Sequence, residues 1–446
     1  MSDLERAYNM IVAKNKDYST LFSYADGDQP LKYSTTRLQE AFRDMNTKFN
    51  MNWIAVVLDS CLDRISFQGW AINDITAKAV LDSVFEENKL AIDSYDAHKT
   101  ALITHEAYII AWQEEEEIEV YYNDPRNVHL FYKPYNPKKK DFGAKLYQDG
   151  DVYRMILYYP DRLEYYETAP TKSLPASANA FHSSEVAVSD NPYGEVPVFH
   201  IAINKRTGVS ELTNIVTLQD AVNKLLSDMM VAAEFGAYKQ RYIITNADTK
   251  ALVNKPNVIW EIPPADGGTQ PVSVGEFAEA DLGNFLNAID KLANAIAVIS
   301  RTPKHFFYQV GSNISGEALM AMEAPLVAKA EQYIKNFNTT WRELGAFVLK
   351  LYGIEVRETD INPIWEPVQS VQPLTEAQTI KVHIDSGIPL ETALRWAGKD
   401  QDEIDQIMKL VNDKKKQDAD EAKIMLDTLR LQQEHNNGIE DTEPEE

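Results

Sequence analysis

The stretch Gly311-Ser-Asn-Ile-Ser-Gly316 spaces two glycines as phosphate-binding loops do, where backbone N–H groups cradle phosphates and a following lysine reaches them. The next residue is Glu317, whose carboxylate would repel a nucleotide phosphate, so the stretch reads as a loop leading into a helix. The eight histidines are scattered, and His305, His383 and His435 have no neighbours at the spacing of a zinc site. No metal or cofactor is expected. Glu114 to Glu117 is an acidic run between two predicted strands and reads as a solvated hairpin. Lys138, Lys139 and Lys140 form a basic run assigned to a solvated loop. No serine stands in a nucleophile elbow, and Cys61 has no histidine pairing that the sequence reveals. Catalysis is therefore not indicated, and an enzyme with a spatially assembled site is the lesser alternative.

The composition limits what these residues can serve. The chain has 446 residues, 44% of them apolar, enough for two or three domains with a sizeable core. A formal charge of −24 excludes general attraction to nucleic acid phosphates, so any DNA contact must be local or weak. A single cysteine excludes an internal disulfide and fits a reducing compartment. Residues 1–16 mix charges with short apolar runs, and the chain offers no apolar run of eighteen residues. Neither a signal peptide nor a membrane span is expected.

The element most clearly written in the sequence is a helix from Ser315 to about Tyr352, roughly 50 Å long. Leu319, Met322, Leu326, Ala330, Ile334, Phe337, Trp341, Leu344, Val348 and Leu351 recur every three or four positions and form one stripe. Gly353 supplies its stop, and Pro325 inside it predicts a kink. Tyr333 and Phe347 are further aromatic residues that lie off the stripe. Before it come a loop, Thr302 to Asn313, and a helix from Glu276 to about Ser300. An earlier helix runs from a Ser210 cap to about Gly236, with Ile215, Leu218, Val222, Leu225, Met229 and Ala233 on its seam. Between these two helices, residues 237–275 carry predicted strands Arg241 to Thr245 and Asn257 to Ile262, a small insertion at the tip of an antiparallel pair.

Residues 1–50 read as an arm. Helices are predicted over Asn52 to Ile65, after Asp74, and over Asp93 to Glu106, with a strand at Phe67 to Ile72. From Tyr108 to Glu167, six runs rich in Val, Ile, Tyr and Phe predict an antiparallel meander. Thr168 to Asp190, rich in Ser and Ala, reads as a flexible surface loop, and Val196 to Ile203 as a buried strand. Ile361 to Trp365 is a strand returning to the β-rich unit. Helices fill Thr375 to His435, and an acidic tail follows that is expected to be disordered.

In this order, Asn191-Pro-Tyr-Gly-Glu-Val-Pro-Val198, Ser210-Glu-Leu, Leu218-Gln-Asp-Ala-Val-Asn223, Ser227-Asp-Met, Ser315-Gly-Glu-Ala-Leu319 and Trp365-Glu-Pro367 resemble the portal proteins of tailed bacteriophages, in the siphophage family of the SPP-type Gp6 kind. The resemblance spans about Asn52 to Pro367. It implies an α+β portal-type fold: residues 1–50 an N-terminal arm, 51–209 a β-rich wing, 210–236 and 276–301 antiparallel stem helices, and 237–275 a small α/β clip. Residues 302–315 would be a tunnel loop, 316–353 a long kinked tunnel helix, 354–372 a return strand, 373–435 a helical crown and 436–446 an acidic tail.

The family's role implies a ring, of about twelve subunits, at one capsid vertex of the virion, assembled in the host cytoplasm, with Tyr333 and Phe347 as candidates for the contact between subunits. Double-stranded DNA would pass through it, pumped in by the terminase large subunit and released to the tail through a head–tail adaptor. Major capsid and scaffolding proteins are the further implied partners. Within that reading Lys304, His305, Gln309, Ser312 and Asn313 face the DNA. Phe306, Phe307 and Tyr308 pack the loop, either against neighbouring subunits or against their own. The alternative within the same class is another ring-forming connector component.

Overall fold

The computed structural model describes residues 2–32, 50–114, 117–204, 208–237, 241–244, 273–276, 281–308, 316–369, 373–397, 399 and 401–437. The chain divides into two compact units, the first up to Val368 and the second from Gln369.

The first unit opens with helix α1, Asp3–Ala25, capped by the Ser2 hydroxyl accepting from the Glu5 N–H at 3.2 Å. The sequence predicts an arm over this stretch. Instead Ala7, Tyr8 and Ile11 fall on one face and join a core with Phe142, Met155 and Leu157. The amphipathic stripe is short and carried by tyrosines, which weakens its signal. Helices α2, Trp53–Leu62, α3, Ile75–Glu87, and α4, Leu90–Thr104, flank strand β1, Phe67–Ala71. Asp74 caps α3 by accepting from the Ala77 N–H at 2.9 Å. Helix α4 ends short of its predicted limit because His105 takes a left-handed conformation, φ 81°, and turns Glu106 into a strand.

Strands β2, Glu106–Glu114, β3, Glu117–Asn123, β4, Val128–Lys133, β5, Asn136–Asp149, β6, Val152–Tyr158, β7, Arg162–Thr168, β8, Phe181–Asp190, and β9, Val198–Ala202, pair antiparallel throughout. They make two sheets, β3-β2-β9 and β4-β5-β6-β7-β8, where the pattern predicts one meander. The return of β9 to the side of β2 is a long-range pairing that local patterning does not register. Tyr108, Ile110, Val128, Leu130, Leu163 and Val198, drawn from both sheets, share one apolar cluster.

Two loops assigned from sequence are strands. Residues 181–190 form β8, hidden because an edge strand with mostly exposed side chains shows no apolar alternation. Lys138, Lys139 and Lys140 lie in β5. Lys140 is partly buried, with its ammonium 2.7 Å from a Glu343 carboxylate oxygen and 3.9 Å from the Phe199 ring centroid.

Ser210 does not cap a helix at its own position. Its buried hydroxyl donates to the Ile103 carbonyl and accepts from the Leu212 N–H at 3.0 Å, forming a turn, and helix α5 runs from Val216 to Ala237. Strand β10, Arg241–Ile244, pairs with β11, Ser273–Glu276; the predicted strand Asn257 to Ile262 lies outside the described residues. Helix α6, Leu282–Ser300, therefore starts six residues after Glu276, capped by Asp281 through the Gly283 N–H at 2.9 Å.

Helix α7 covers Gly316–Leu351, with Pro325 inside it. Its predicted stripe is buried from Leu326 on, through Ala330, Phe337, Trp341, Leu344 and Val348, whereas Met322 is 40% exposed. The Trp70 indole N–H donates to the Trp341 carbonyl at 2.7 Å. That approach needs a glycine, since a Cβ on Gly345 would stand 3.0 Å from the indole nitrogen. Gly353 takes φ 75° and ends the helix. Phe347, expected at a subunit surface, is 2% exposed and packs on Phe199 and Tyr193, with ring centroids at 5.3 and 5.9 Å. Strand β12, Asn362–Trp365, pairs with β1 and not with the larger sheets.

The second unit holds α8, Pro373–Asp385, α9, Leu390–Trp396, and α10, Gln401–Asn437, as the periodicity predicts. Gly387, φ 85°, makes the first break. The acidic tail lies outside the described residues. Among those described, no helix is long and apolar enough to cross a membrane.

Candidate functional site

The loop after α6 begins where Arg301, φ 57°, closes that helix in the left-handed region. Pro303 then starts a 3-10 turn over Lys304–Phe306, closed by the Phe306 N–H to the Pro303 carbonyl at 3.1 Å and the Phe307 N–H to the Lys304 carbonyl at 3.0 Å. The Lys304 ammonium, on a side chain 44% exposed, lies 3.2 Å from a carboxylate oxygen of Asp290, near the middle of α6. His305 stacks on Phe306, centroids 4.7 Å apart, with its Nε2 3.5 Å from Glu323 Oε1. The other oxygen of Glu323 accepts from Arg64 Nη2 at 2.7 Å. Phe307 and Tyr308 meet the indole of Trp53 edge-on, at 5.9 and 5.6 Å, within the same subunit. Phe306 remains 37% exposed, beside the Arg64 guanidinium at 5.8 Å. Of the predicted loop residues the structure thus brings Lys304, His305, Phe306, Phe307 and Tyr308 onto α2, α6 and the start of α7. Gln309, Ser312 and Asn313 lie outside the described residues.

What holds Trp53 is a row of polar residues on α5 that the apolar seam concealed. Gln219 and Asn223 are four apart and so share a face. The Trp53 N–H donates to Gln219 Oε1 at 3.0 Å, Gln219 Nε2 donates to the Met51 carbonyl, and the Met51 N–H donates to Asn223 Oδ1 at 3.1 Å. These two side chains serve the 50–53 segment as a neighbouring strand would. Beside them the Tyr24 hydroxyl donates to both oxygens of Asp220, at 2.8 and 2.9 Å, with Lys32 at 3.3 Å. Gln219, Asp220 and Asn223 are all buried. Two amides at four-residue spacing, beside the apolar seam of α5, were the available signal.

A second polar cluster sits between α1 and the sheets. Glu106, buried on β2, receives the Tyr18 hydroxyl at 2.8 Å and the Tyr108 hydroxyl at 3.0 Å, pairs with Lys14, and lies 3.4 Å from His200 Nε2. His129 Nδ1 is 2.9 Å from both the Lys14 ammonium and the Tyr108 hydroxyl. Burial alone would push the Glu106 carboxyl up, but His200 and Lys14 hold it well below the usual carboxylate range. Burial, reinforced by Lys14, pushes His129 down to about 3. Histidines scattered in sequence thus converge here around one buried carboxylate. The cluster fastens α1 to the sheets. Among the described residues no group of three or more His, Cys, Asp or Glu is placed to hold a metal ion. Next to it a cleft of about 1040 Å³ opens between β5, β9 and α7, lined by Lys138, His200, Glu211, Tyr333, Asn336 and Glu343 among others.

Comparison with known proteins gives these elements a context. A family model described as phage portal protein, SPP1 Gp6-like, matches residues 3–421. The portal protein of Mycobacterium phage D29 is 23% identical over 316 residues, 66% of this chain and 63% of the relative. The portal protein of Mycobacterium phage L5 is 28% identical over 166 residues, 34% of this chain and 33% of the relative. The matched region thus spans less than two thirds of the length of either curated relative. A chain in the solved structure described as "Neck of native GTA particle computed with C12 symmetry" aligns with a TM-score of 0.46 and 12% identity, covering 86% of this chain and 94% of that one. With a family match running from α1 into α10, the chain belongs to the phage portal proteins of the SPP1 Gp6-like family.

Proposed function

We propose that this chain is the portal subunit of a tailed phage, forming a ring at one capsid vertex through which double-stranded DNA enters during packaging and leaves towards the tail. The observation that carries this reading is the family match across residues 3–421. In it, the β-rich part of residues 51–209 is the wing, α5 and α6 are stem helices, and β10 with β11 belongs to the clip. The segment from Thr302 is the tunnel loop, α7 the tunnel helix, kinked at Pro325, and the second unit the crown. The ring is of about twelve copies, with heterologous contacts between successive subunits. Terminase large subunit, head–tail adaptor, and capsid and scaffolding proteins are its partners in assembly, which takes place in the host cytoplasm before the subunit resides in the virion.

Charge supports the reading in physical terms. A duplex that slides needs a channel without deep wells, and a chain with 68 acids against 44 bases offers phosphate weak, even repulsion and no general attraction. Local attraction then falls to a few cations such as Lys304, and His305, Gln309, Ser312 and Asn313 are the further residues we assign to face the duplex. Phe307 and Tyr308, seated on Trp53, anchor the Lys304–Tyr308 segment to α2. No chemical step is assigned to the chain. Negative-stain images of the purified full-length protein test the reading: rings with a central hole are expected, and a monodisperse species of 50.6 kDa would sink it.

A further inference from the structure

We infer that Glu323 is the positioning residue for the Lys304–Tyr308 segment, one carboxylate through which α2, the loop and α7 are fixed to each other. Its two oxygens are divided: Oε2 takes Arg64 at 2.7 Å, and Oε1 faces His305 Nε2 at 3.5 Å. Arg64 is itself tied down, its Nη1 donating to the Ser60 carbonyl at 3.1 Å at the end of α2. The side chains of Arg64, Glu323 and His305 are 12%, 18% and 17% exposed, so this pairing is shielded from water and salt in a way surface pairs are not.

The other restraints on the segment are of a different kind. Lys304 and Asp290 are about half exposed, where an ion pair contributes little. The edge-on contacts of Phe307 and Tyr308 with Trp53 supply packing but permit sliding. Glu323 alone among these gives direction, since its partners approach separate oxygens from separate elements. It also stands two residues before Pro325, whose missing N–H leaves the Ala321 carbonyl without its donor four residues on. The turn that bears Glu323 is therefore less firmly closed than the rest of α7, and its displacement would carry the segment with it. Placing that segment at a DNA channel rests on the proposed function; the clamp itself does not.

Hydrogen exchange measured by mass spectrometry on the full-length protein tests this. Glu323→Gln should speed exchange across residues 301–308 roughly tenfold while leaving residues 338–351 as in the parent. Arg64→Lys should act in the same direction, and His305→Ala should add nothing in the Glu323→Gln background. Unchanged exchange in both Glu323→Gln and Arg64→Lys would overturn the inference, as would additive effects of His305→Ala and Glu323→Gln. Loss of protection spread equally along α6 and α7 would also overturn it, making Glu323 a general structural residue. Exchange is read whether or not rings form, so failure of the clamp and failure of the portal reading are separate results.

Discussion

The Lys329 ammonium lies 2.7 Å from a Glu211 carboxylate oxygen, with the two side chains only 7% and 12% exposed. The same ammonium donates to the Ser300 carbonyl at 2.6 Å, placing a cation at the C-terminal end of α6 where the helix dipole favours one. The Tyr333 hydroxyl donates to the other oxygen of Glu211. One pair thus joins α7, the end of α6 and the turn before α5.

A buried pair of this kind is costly to break from one side, because the remaining charge is left without compensation. Lys329→Met should lower the unfolding free energy by about 3–5 kcal/mol. Lys329→Met combined with Glu211→Leu should recover at least half of that loss, since apolar replacement removes both charges together. Denaturant titration of the single and double variants checks this, and equal losses in both would show the pair is not the cause.

Gly345 should tolerate no side chain while Trp70 stays in place. A Cβ there would meet the indole at 3.0 and 3.2 Å, and moving the ring breaks its hydrogen bond to the Trp341 carbonyl. Gly345→Ala should cost about 1–3 kcal/mol despite alanine's better helix propensity. In a Trp70→Phe background, which already lacks the donor, the same substitution should cost less. A stabilising Gly345→Ala in the parent would refute the close-approach argument.

Acid should destabilise the first unit from near neutrality downward. Burial holds His98 at about 3, and burial with Lys14 holds His129 at about 3, whereas a histidine in the unfolded chain binds its proton near 6.5. Across that interval the unfolded state binds more protons, so stability is complete above 6.5 and declines as pH falls. At pH 5 the loss is about 2 kcal/mol per histidine. Glu106, held well below its ordinary 4.5, acts in the same sense at lower pH still. Unfolding measured at pH 7.5, 6 and 5 should show this slope. His98→Gln, whose side-chain oxygen can still accept from the Trp341 indole, should flatten it by one histidine's share.

Lys304→Glu should weaken DNA passage or packaging several-fold at low ionic strength, on the reading that the segment faces the duplex. The difference should shrink as salt rises, because a half-exposed charge is screened over about 10 Å at 0.1 M. Asp290→Asn, which removes the neighbouring carboxylate and frees the same ammonium, should move it the other way. Identical packaging by all three proteins would remove the case for this contact.

What could be read from the sequence was whatever the chain decides locally. The α7 stripe from Leu326 to Leu351, the Asp74 cap and the Gly353 stop are each set by neighbours within one or two turns, and each is where the pattern puts it. Residues whose role depends on distant partners were illegible. Ser210 bonds Ile103, Lys140 bonds Glu343, and β8 has exposed side chains because it stands at a sheet edge. Phe347 shows the same limit: nothing near it in sequence announces Phe199 and Tyr193. In the loop, residue types identified a polar and aromatic segment, but its anchors, Trp53, Arg64 and Glu323, come from α2, the turn after it and α7.

Gln219 is the sharpest instance, and it yields the remaining prediction. A periodicity argument alone would accept leucine there, since the position is buried on a helix with an apolar seam. Its amide, however, serves the Trp53 N–H and the Met51 carbonyl, and both would lose their partner. Gln219→Leu should therefore cost about 2–4 kcal/mol, the desolvation penalty of two backbone groups, although it adds apolar surface to the core. Gln219→Glu keeps the acceptor for Trp53 but loses the donor to the Met51 carbonyl and to Asn223 Oδ1, and brings in a carboxylate beside the buried Asp220, so it too should destabilise. Denaturant titration decides the matter: if Gln219→Leu is as stable as the parent, the amide is not what seats Trp53 beneath Phe307 and Tyr308.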